Sequence, residues 1–137
     1  MGVSITATNS SYDFDMGYGG FFNLRKNIAL ALDKDFGENY ALLSHCYTEK
    51  QFEDNDRVAN LIIEQKNLDE DIVKFLYMSD CEGKISYKVC KKIYDLIKDV
   101  DFENKCFRYA AYSHNDYGEF KEFLKECFSK RRQMRWY

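Results

Sequence analysis

The chain has 137 residues, a formal net charge of −3 and no proline. This length is that of one ordinary domain, so we expect residues 1–137 to form a single compact unit. Twenty basic residues against twenty-three acidic ones exclude the strongly basic surface that general nucleic-acid binding requires. A hydrophobic fraction of 45% and an aromatic fraction of 17% are sufficient for a buried core.

The cysteines and the apolar runs predict a cytoplasmic protein outside the membrane. The chain has five cysteines, an odd number, and none of them form a C-x-x-C pair. No secretory segment precedes them, so we expect reduced thiols. No apolar run approaches the roughly 18 residues that a membrane span needs. With two histidines in the chain, we expect no metal site and no cofactor.

The first strand is predicted at residues 3–7, where apolar and polar side chains alternate. A single strand is not stable alone, so it needs a partner. The best partner is the aromatic C-terminus at 133–137, and we expect the two to pair in a small antiparallel ribbon. A turn at 9–11 then leads to an extended segment at 12–16.

Helical spacing of apolar residues covers much of the remaining chain. We predict helices over 21–32, from a polar start at 54–56, over 69–77 after an N-cap, from the cap Ser86 to Val100, and over 116–131. A break is expected at 35–39 around Gly37, whereas 40–46 and 106–112 are ambiguous. The predicted fold class is α+β, mostly helical, with four to five helices and a small antiparallel ribbon formed by the N- and C-terminal strands.

A glycine-rich stretch, Gly17-Tyr18-Gly19-Gly20, precedes the first predicted helix. Glycines permit positive φ and a close approach of the backbone, and a helix start offers free N–H groups to anions. Arg25 and Lys26 follow nearby, so this stretch has the features of an anion site. The spacing matches neither a P-loop nor a dinucleotide fingerprint. The structural alternative is a tight turn that packs Phe21 and Phe22 into the core.

A second loop has acidic residues at Asp80 and Glu82, with Ser79 before them and Gly83 after them. Its register lacks the first acid and the closing glutamate of a calcium loop. We therefore expect a corner between helices, in which Asp80 accepts hydrogen bonds from backbone N–H groups and Gly83 adopts a left-handed conformation.

The segments Tyr18-Gly19-Gly20-Phe21 and Phe75–Ile85, together with a Phe-rich last helix, resemble a family of small, mostly uncharacterised bacterial and phage proteins. Its members carry a Tyr-Gly-Gly-Phe turn and a Ser-Asp-Cys-Asp-Gly loop. This chain departs from the pattern at Met78, where a histidine is common, and at Glu82, where an aspartate is common. The resemblance implies one compact domain and carries over no activity.

These features favour a non-enzymatic binding protein that captures a small anionic or nucleotide-like molecule. If the protein is phage-encoded, such capture would counter host defence by removing an immune signal. The predicted ligand-binding residues supply phosphate contacts and stacking surfaces: Tyr18, Gly19, Gly20, Arg25, Lys26, Tyr109, His114, Arg135 and Trp136.

Two other functions stay open. The acidic stretches and abundant aromatics suit a protein-interaction module that inhibits a host protein. A small hydrolase would use Asp80, Glu82 or His114, although no nucleophile, base and orienter stand in a recognisable order. Because a small domain with this many aromatics leaves some of them on its surface, we also expect that the chain can form a homo-oligomer.

Overall fold

The fold is taken from a computed structural model that describes residues 2–8, 13–100 and 114–137. The predicted turn at 9–11 and the ambiguous segment at 106–112 lie outside these residues.

A four-stranded antiparallel sheet joins the two ends of the chain. Its strands are β1 (Gly2–Ala7), β2 (Asp13–Gly17), β3 (Gly83–Ile85) and β4 (Met134–Trp136), in the order β2–β1–β4–β3. Ile5 lies opposite Trp136 and Ala7 opposite Met134. The predicted pairing of the terminal strands is therefore confirmed, and β2 and β3 extend the sheet on either side.

The two faces of the sheet have different environments, as the alternation in β1 predicts. Val3, Ile5 and Trp136 are buried against the helices, where they belong to the single hydrophobic core. Thr6 and Arg135 are directly opposite each other on the other face. Thr6 is half-buried and Arg135 is exposed. The buried face of the sheet thus belongs to the core that the helices complete.

Six α-helices occur in the described part of the chain, which is slightly more than the four to five predicted. They are α1 (Tyr18–Leu32), α2 (Lys34–Ala41), α3 (Glu49–Lys66), α4 (Glu70–Tyr77), α5 (Tyr87–Ile97) and α6 (His114–Ser129). A 3₁₀ turn at Leu42–His45 follows α2.

Helix α2 replaces the break that we expected at 35–39. Asp33 caps the helix, because its carboxylate accepts a hydrogen bond from the Phe36 N–H at 2.9 Å. Gly37 is buried, and a Cβ at this position would lie 2.5 Å from the Leu30 Cα of α1. The glycine therefore permits the close crossing of α1 and α2, and the expectation of a break was wrong.

Helix caps set the starts of α3, α4 and α5. Thr48 and Gln51 form a capping box, so α3 begins at Glu49. The predicted helix start at 54–56 was therefore wrong. The predicted caps Asp69 and Ser86 are confirmed, since each side chain accepts a backbone N–H in the first turn. At its end, α3 terminates at Asn67, whose φ is 50°, a left-handed conformation that suits asparagine.

Glycine positions provide a first test of this packing. We expect Gly37→Ala to lower the free energy of unfolding by about 1–3 kcal/mol, because the added methyl group must displace the α1 backbone. Gly118→Ala is the matched control: a Cβ there meets nothing within 4 Å, so loss of glycine from α6 should raise stability by about 0.5–1 kcal/mol. Urea unfolding measures both, and a Gly37→Ala variant as stable as the wild type would contradict the crossing.

An ion-pair network links the two ends of the α2–α3 hairpin. The Lys66 Nζ lies 3.0 Å from Asp33 and 2.9 Å from Asp35. Partial desolvation acts to raise the pKa of Asp33, but the hydrogen bond from the Phe36 N–H and the contact with Lys66 together lower it. A carboxyl whose pKa is lower in the folded state stabilises the fold above its unfolded pKa, and this stabilisation is lost as the pH falls.

The second test therefore varies the pH. Near neutral pH we expect Asp33→Ala to lower the unfolding free energy by about 1 kcal/mol, because the cap is lost. Asp33→Asn should cost less, since asparagine is also a good cap. Below pH 3.8, the unfolded-state value, the difference between wild type and Asp33→Asn should shrink as Asp33 becomes protonated. Thermal unfolding across the pH range checks this, and a difference that grows on acidification would refute it.

Candidate functional site

Arg25 and Trp136 lie in the interior and meet at one short segment. The guanidinium of Arg25 donates two hydrogen bonds of 2.8 Å to the Met78 carbonyl and one of 3.4 Å to the Ser79 carbonyl. The indole Nε1 of Trp136 donates to the same Ser79 carbonyl at 2.9 Å. Because Arg25 is 3% exposed and Trp136 is 1% exposed, neither side chain is presented to a ligand as the sequence had suggested.

Three aromatic rings surround the Arg25 guanidinium. Its central carbon lies 4.6 Å from the Phe21 ring centroid, 5.4 Å from Phe75 and 5.9 Å from Trp136. Desolvation by burial lowers the pKa of Arg25, but an arginine side chain still keeps its charge in proteins. The cation is stabilised by carbonyl dipoles and ring faces together.

The carbonyl groups at the end of α4 explain why these donors are buried there. The last carbonyls of a helix have no partner within the helix. The Leu76 carbonyl accepts the Tyr40 hydroxyl at 2.6 Å. The acceptors bound by Arg25 and Trp136 are the carbonyls of Met78 and Ser79, which directly follow the last helical residue, Tyr77. A cation at a helix C-terminus also interacts favourably with the helix dipole. Arg25 thus fixes the end of α4 against α1 and β4.

The glycine stretch does not form the separate loop that we expected. Strand β2 ends at Gly17 and α1 begins at Tyr18, so Gly19 and Gly20 lie in the first helical turn. Among the described glycines none has a positive φ, and Gly20 is buried. The stretch is therefore the start of a helix and not a separate glycine loop.

The other predicted ligand-binding residues are dispersed. Lys26 is buried, and its Nζ lies 4.5 Å from the Phe22 ring centroid. Tyr109 is outside the described residues, and for Tyr18 and His114 the structure describes the backbone alone. Arg135 is exposed on β4.

The loop 79–83 differs from the expected corner. The Ser79 hydroxyl, not Asp80, accepts a backbone hydrogen bond here, from the Cys81 N–H at 3.1 Å. The Cys81 thiol donates to Asp80 at 3.4 Å. Gly83 lies in β3 without a positive φ, and a Cβ there would fall into the Trp136 ring. The glycine is thus required by the indole packed against it, and the left-handed conformation predicted for it was wrong.

An open cleft of about 430 Å³ lies where β3 meets β4. Its lining includes four residues that the sequence analysis singled out, together with two new ones: Glu82, Gly83, Lys84, Arg135, Trp136 and Tyr137. Lys84 and Arg135 are directly opposite each other in the sheet, and both are exposed. Beside them the Tyr137 side chain is 64% exposed.

Neither cation has a carboxylate partner among the side chains that the structure describes. No Asp or Glu oxygen of those side chains lies within 4.0 Å of Lys84 or Arg135. The Arg135 Nε donates to the Gln133 side chain at 3.3 Å, which leaves the charge uncompensated. Like charges directly opposite in a sheet are destabilising, so a bound anion would relieve a repulsion already present in the fold.

Sequence reasoning missed Lys84 and Tyr137, although each carries a detectable signal. Lys84 precedes the buried Ile85, and Tyr137 follows the buried Trp136. In a strand such neighbours point to opposite faces. Recognising β3 as a strand would have placed Lys84 on the exposed face beside Arg135.

Comparison with known proteins finds no family model, no curated protein and no solved structure that matches this chain. The described residues contain no group of three or more His, Cys, Asp or Glu side chains placed to hold a metal ion. Over the same residues, no helix has the length and apolar character needed to span a membrane.

A third test concerns the buried cation. We expect Arg25→Met to lower the free energy of unfolding by about 2–3 kcal/mol, because the Met78 and Ser79 carbonyls lose charged donors. Arg57→Met is the matched control: Arg57 pairs with Asp54 on the surface, with a side chain 70% exposed, and its loss should change stability by less than about 0.5 kcal/mol. Equal effects of the two substitutions would contradict the structural role of Arg25.

Proposed function

We propose that this protein captures a small, nucleotide-like anion in the cleft between β3 and β4, without chemical conversion. The observation that carries the proposal is the juxtaposition of Lys84 and Arg135, two exposed cations in adjacent strands that have no carboxylate partner among the described side chains. A phosphate group bound between them would accept hydrogen bonds from both and neutralise their repulsion.

The chemistry of the two cations suits a phosphate in different ways. Arg135 supplies a planar guanidinium that can bind two phosphate oxygens at once, whereas Lys84 supplies a compact point charge. Their backbones are held in register by β3–β4 pairing, so the site is largely formed before a ligand binds. Preorganisation of this kind reduces the entropic cost of binding.

The remaining lining residues suit the uncharged part of a nucleotide. The exposed ring of Tyr137 offers a surface on which a flat base can stack. Glu82 lines the same cleft, where its carboxylate can accept hydrogen bonds from sugar hydroxyls or an exocyclic amine. A phosphate with an attached base therefore fits this set better than inorganic phosphate alone.

The site differs from the glycine stretch that first indicated an anion. Arg25 and Trp136 are engaged inside the chain, so Arg135 is the predicted cation that keeps its place in the proposal. We also propose a cytoplasmic setting, since Cys46, Cys81, Cys90 and Cys127 are free thiols. A phage origin rests on the family resemblance, and removal of a host signalling nucleotide is the extension of nucleotide capture to that setting.

The fourth test measures binding by calorimetry and thermal shift. Mononucleotides, cyclic nucleotides and ADP-ribose are titrated into the wild type, and at least one is expected to bind and raise the melting temperature. The double variant Lys84→Gln with Arg135→Gln should lose affinity by at least about tenfold, which corresponds to 1.4 kcal/mol. The control Lys88→Gln removes an exposed lysine of α5 and should leave binding unchanged.

The same variants test the repulsion without a ligand. Lys84→Gln alone should raise the stability of the free protein by about 0.2–1 kcal/mol, because the like-charge pair is removed. If no nucleotide binds at millimolar concentration, or if the double variant binds as well as the wild type, the proposal fails.

A further inference from the structure

We infer that the β3–β4 cleft selects a guanine nucleotide, because Glu82 is placed to bind the edge of a base that stacks on Tyr137. The inference rests on the proposed capture of a nucleotide in this cleft, and it names the base. A carboxylate accepts hydrogen bonds and donates none, so Glu82 discriminates among bases by the donors that they present.

The cleft has a cationic end and an end suited to a base. Lys84 lies opposite Arg135 in the antiparallel sheet. Continuing this register by two residues on each strand brings Glu82 beside Tyr137, and both line the cleft with the two cations. Two residues along a strand span roughly 7 Å, so the sugar of a nucleotide can bridge the two ends.

The charges determine which way round a nucleotide binds. Its phosphate is attracted to Lys84 and Arg135 and repelled by the exposed carboxylate of Glu82. Among the side chains that the structure describes, no Lys or Arg nitrogen lies within 4.0 Å of the Glu82 oxygens. No described ion pair therefore occupies this acceptor, and the base is the part of the ligand that reaches it.

Glu82 belongs to a short turn whose two ends are fixed. At one end, the Ser79 carbonyl accepts a hydrogen bond of 2.9 Å from the Trp136 indole. At the other end, Gly83 pairs with Trp136 in the sheet. Between them the Cys81 N–H donates to the Ser79 hydroxyl at 3.1 Å. The backbone of Glu82 is thus preorganised, so binding has to order only its side chain.

The bases differ in what they offer to two carboxylate oxygens. Guanine presents two donors side by side, the ring N1–H and the 2-amino group, so both oxygens of Glu82 accept a hydrogen bond. Adenine and cytosine present an amino group next to a ring nitrogen that is an acceptor, and uracil presents one N–H between two carbonyl oxygens. In these three bases an acceptor faces the second carboxylate oxygen and repels it. A bidentate, charge-assisted pair is therefore available to guanine alone.

Calorimetry with guanosine, inosine, adenosine and cytidine monophosphate (GMP, IMP, AMP and CMP) tests the base. GMP is expected to bind the wild type about tenfold more tightly than AMP or CMP, the scale of one good bidentate contact. IMP keeps the N1–H and lacks the 2-amino group, so its affinity should fall between those of GMP and AMP. The 2′-deoxy form of GMP should bind as GMP does, because Glu82 contacts the base and not the ribose.

The substitution Glu82→Gln should remove or reverse the preference. The glutamine amide presents one acceptor and one donor, which match the amino group and ring N1 of adenine and leave one guanine donor without an acceptor. AMP should then bind at least as tightly as GMP, a change of about tenfold in the ratio of the two affinities. The ratio is the readout, because removal of the carboxylate also raises the affinity for every phosphate.

Glu119→Gln is the matched control. It makes the same substitution at an exposed glutamate of α6, which does not line the cleft, and should leave the ratio of GMP to AMP affinity unchanged. Because both glutamates are exposed, each variant should unfold at the wild-type temperature, which thermal unfolding checks.

The results separate the choice of base from capture itself. If GMP binds no more tightly than AMP and CMP, although Lys84→Gln with Arg135→Gln abolishes binding, the cleft captures nucleotides and the guanine inference is overturned. It is also overturned if Glu82→Gln weakens all four nucleotides equally and 2′-deoxy-GMP binds as weakly, because the carboxylate would then bind the ribose. If no nucleotide binds, the proposed capture fails and the guanine inference fails with it.

Discussion

The burial of one cation determines how the parts of this fold meet. Taking a guanidinium out of water costs several kcal/mol unless hydrogen bonds replace the water. Arg25 of α1 obtains them from the Met78 and Ser79 carbonyls at the end of α4, and Trp136 of β4 completes the set by donating to Ser79. Three elements that are far apart in sequence are therefore fixed at one point, and any arrangement that separated them would leave a buried charge without acceptors.

The exposed cleft is a consequence of that buried contact. Ser79 is held against Trp136, and the chain then enters the sheet at Gly83, directly opposite Trp136. Only glycine fits this position, because a Cβ there would overlap the indole ring. This register sets Lys84 opposite Arg135. Since neighbouring strand residues face opposite sides, the packing of Trp136 inside requires Arg135 outside. The core thus specifies which two cations become neighbours in solvent.

Much of the fold could be predicted from local patterns, and the failures share one physical cause. Alternation of apolar and polar residues predicted the pairing of the terminal strands, and the cap residues Asp69 and Ser86 located the starts of α4 and α5. Gly37 was interpreted as a helix breaker because the sequence does not show the tertiary contact with Leu30 that requires a glycine at this position. Arg25 was assigned to a ligand because a charged residue is normally exposed, and its carbonyl partners lie more than fifty residues away. Arg135 stays a prediction, and its neighbour Lys84 was missed because the short strand β3 was not recognised.

The overall charge of −3 conceals two surfaces of opposite character. Screening limits the reach of exposed charges to about 8–10 Å in physiological salt, so a ligand responds to the few groups near it and not to the sum over the chain. At the β3–β4 cleft those groups are Lys84 and Arg135, whereas along α3 they are Glu53, Asp56 and Glu64. A near-neutral composition therefore excludes a broad field for nucleic acid, but it is compatible with a local anion site on one small domain.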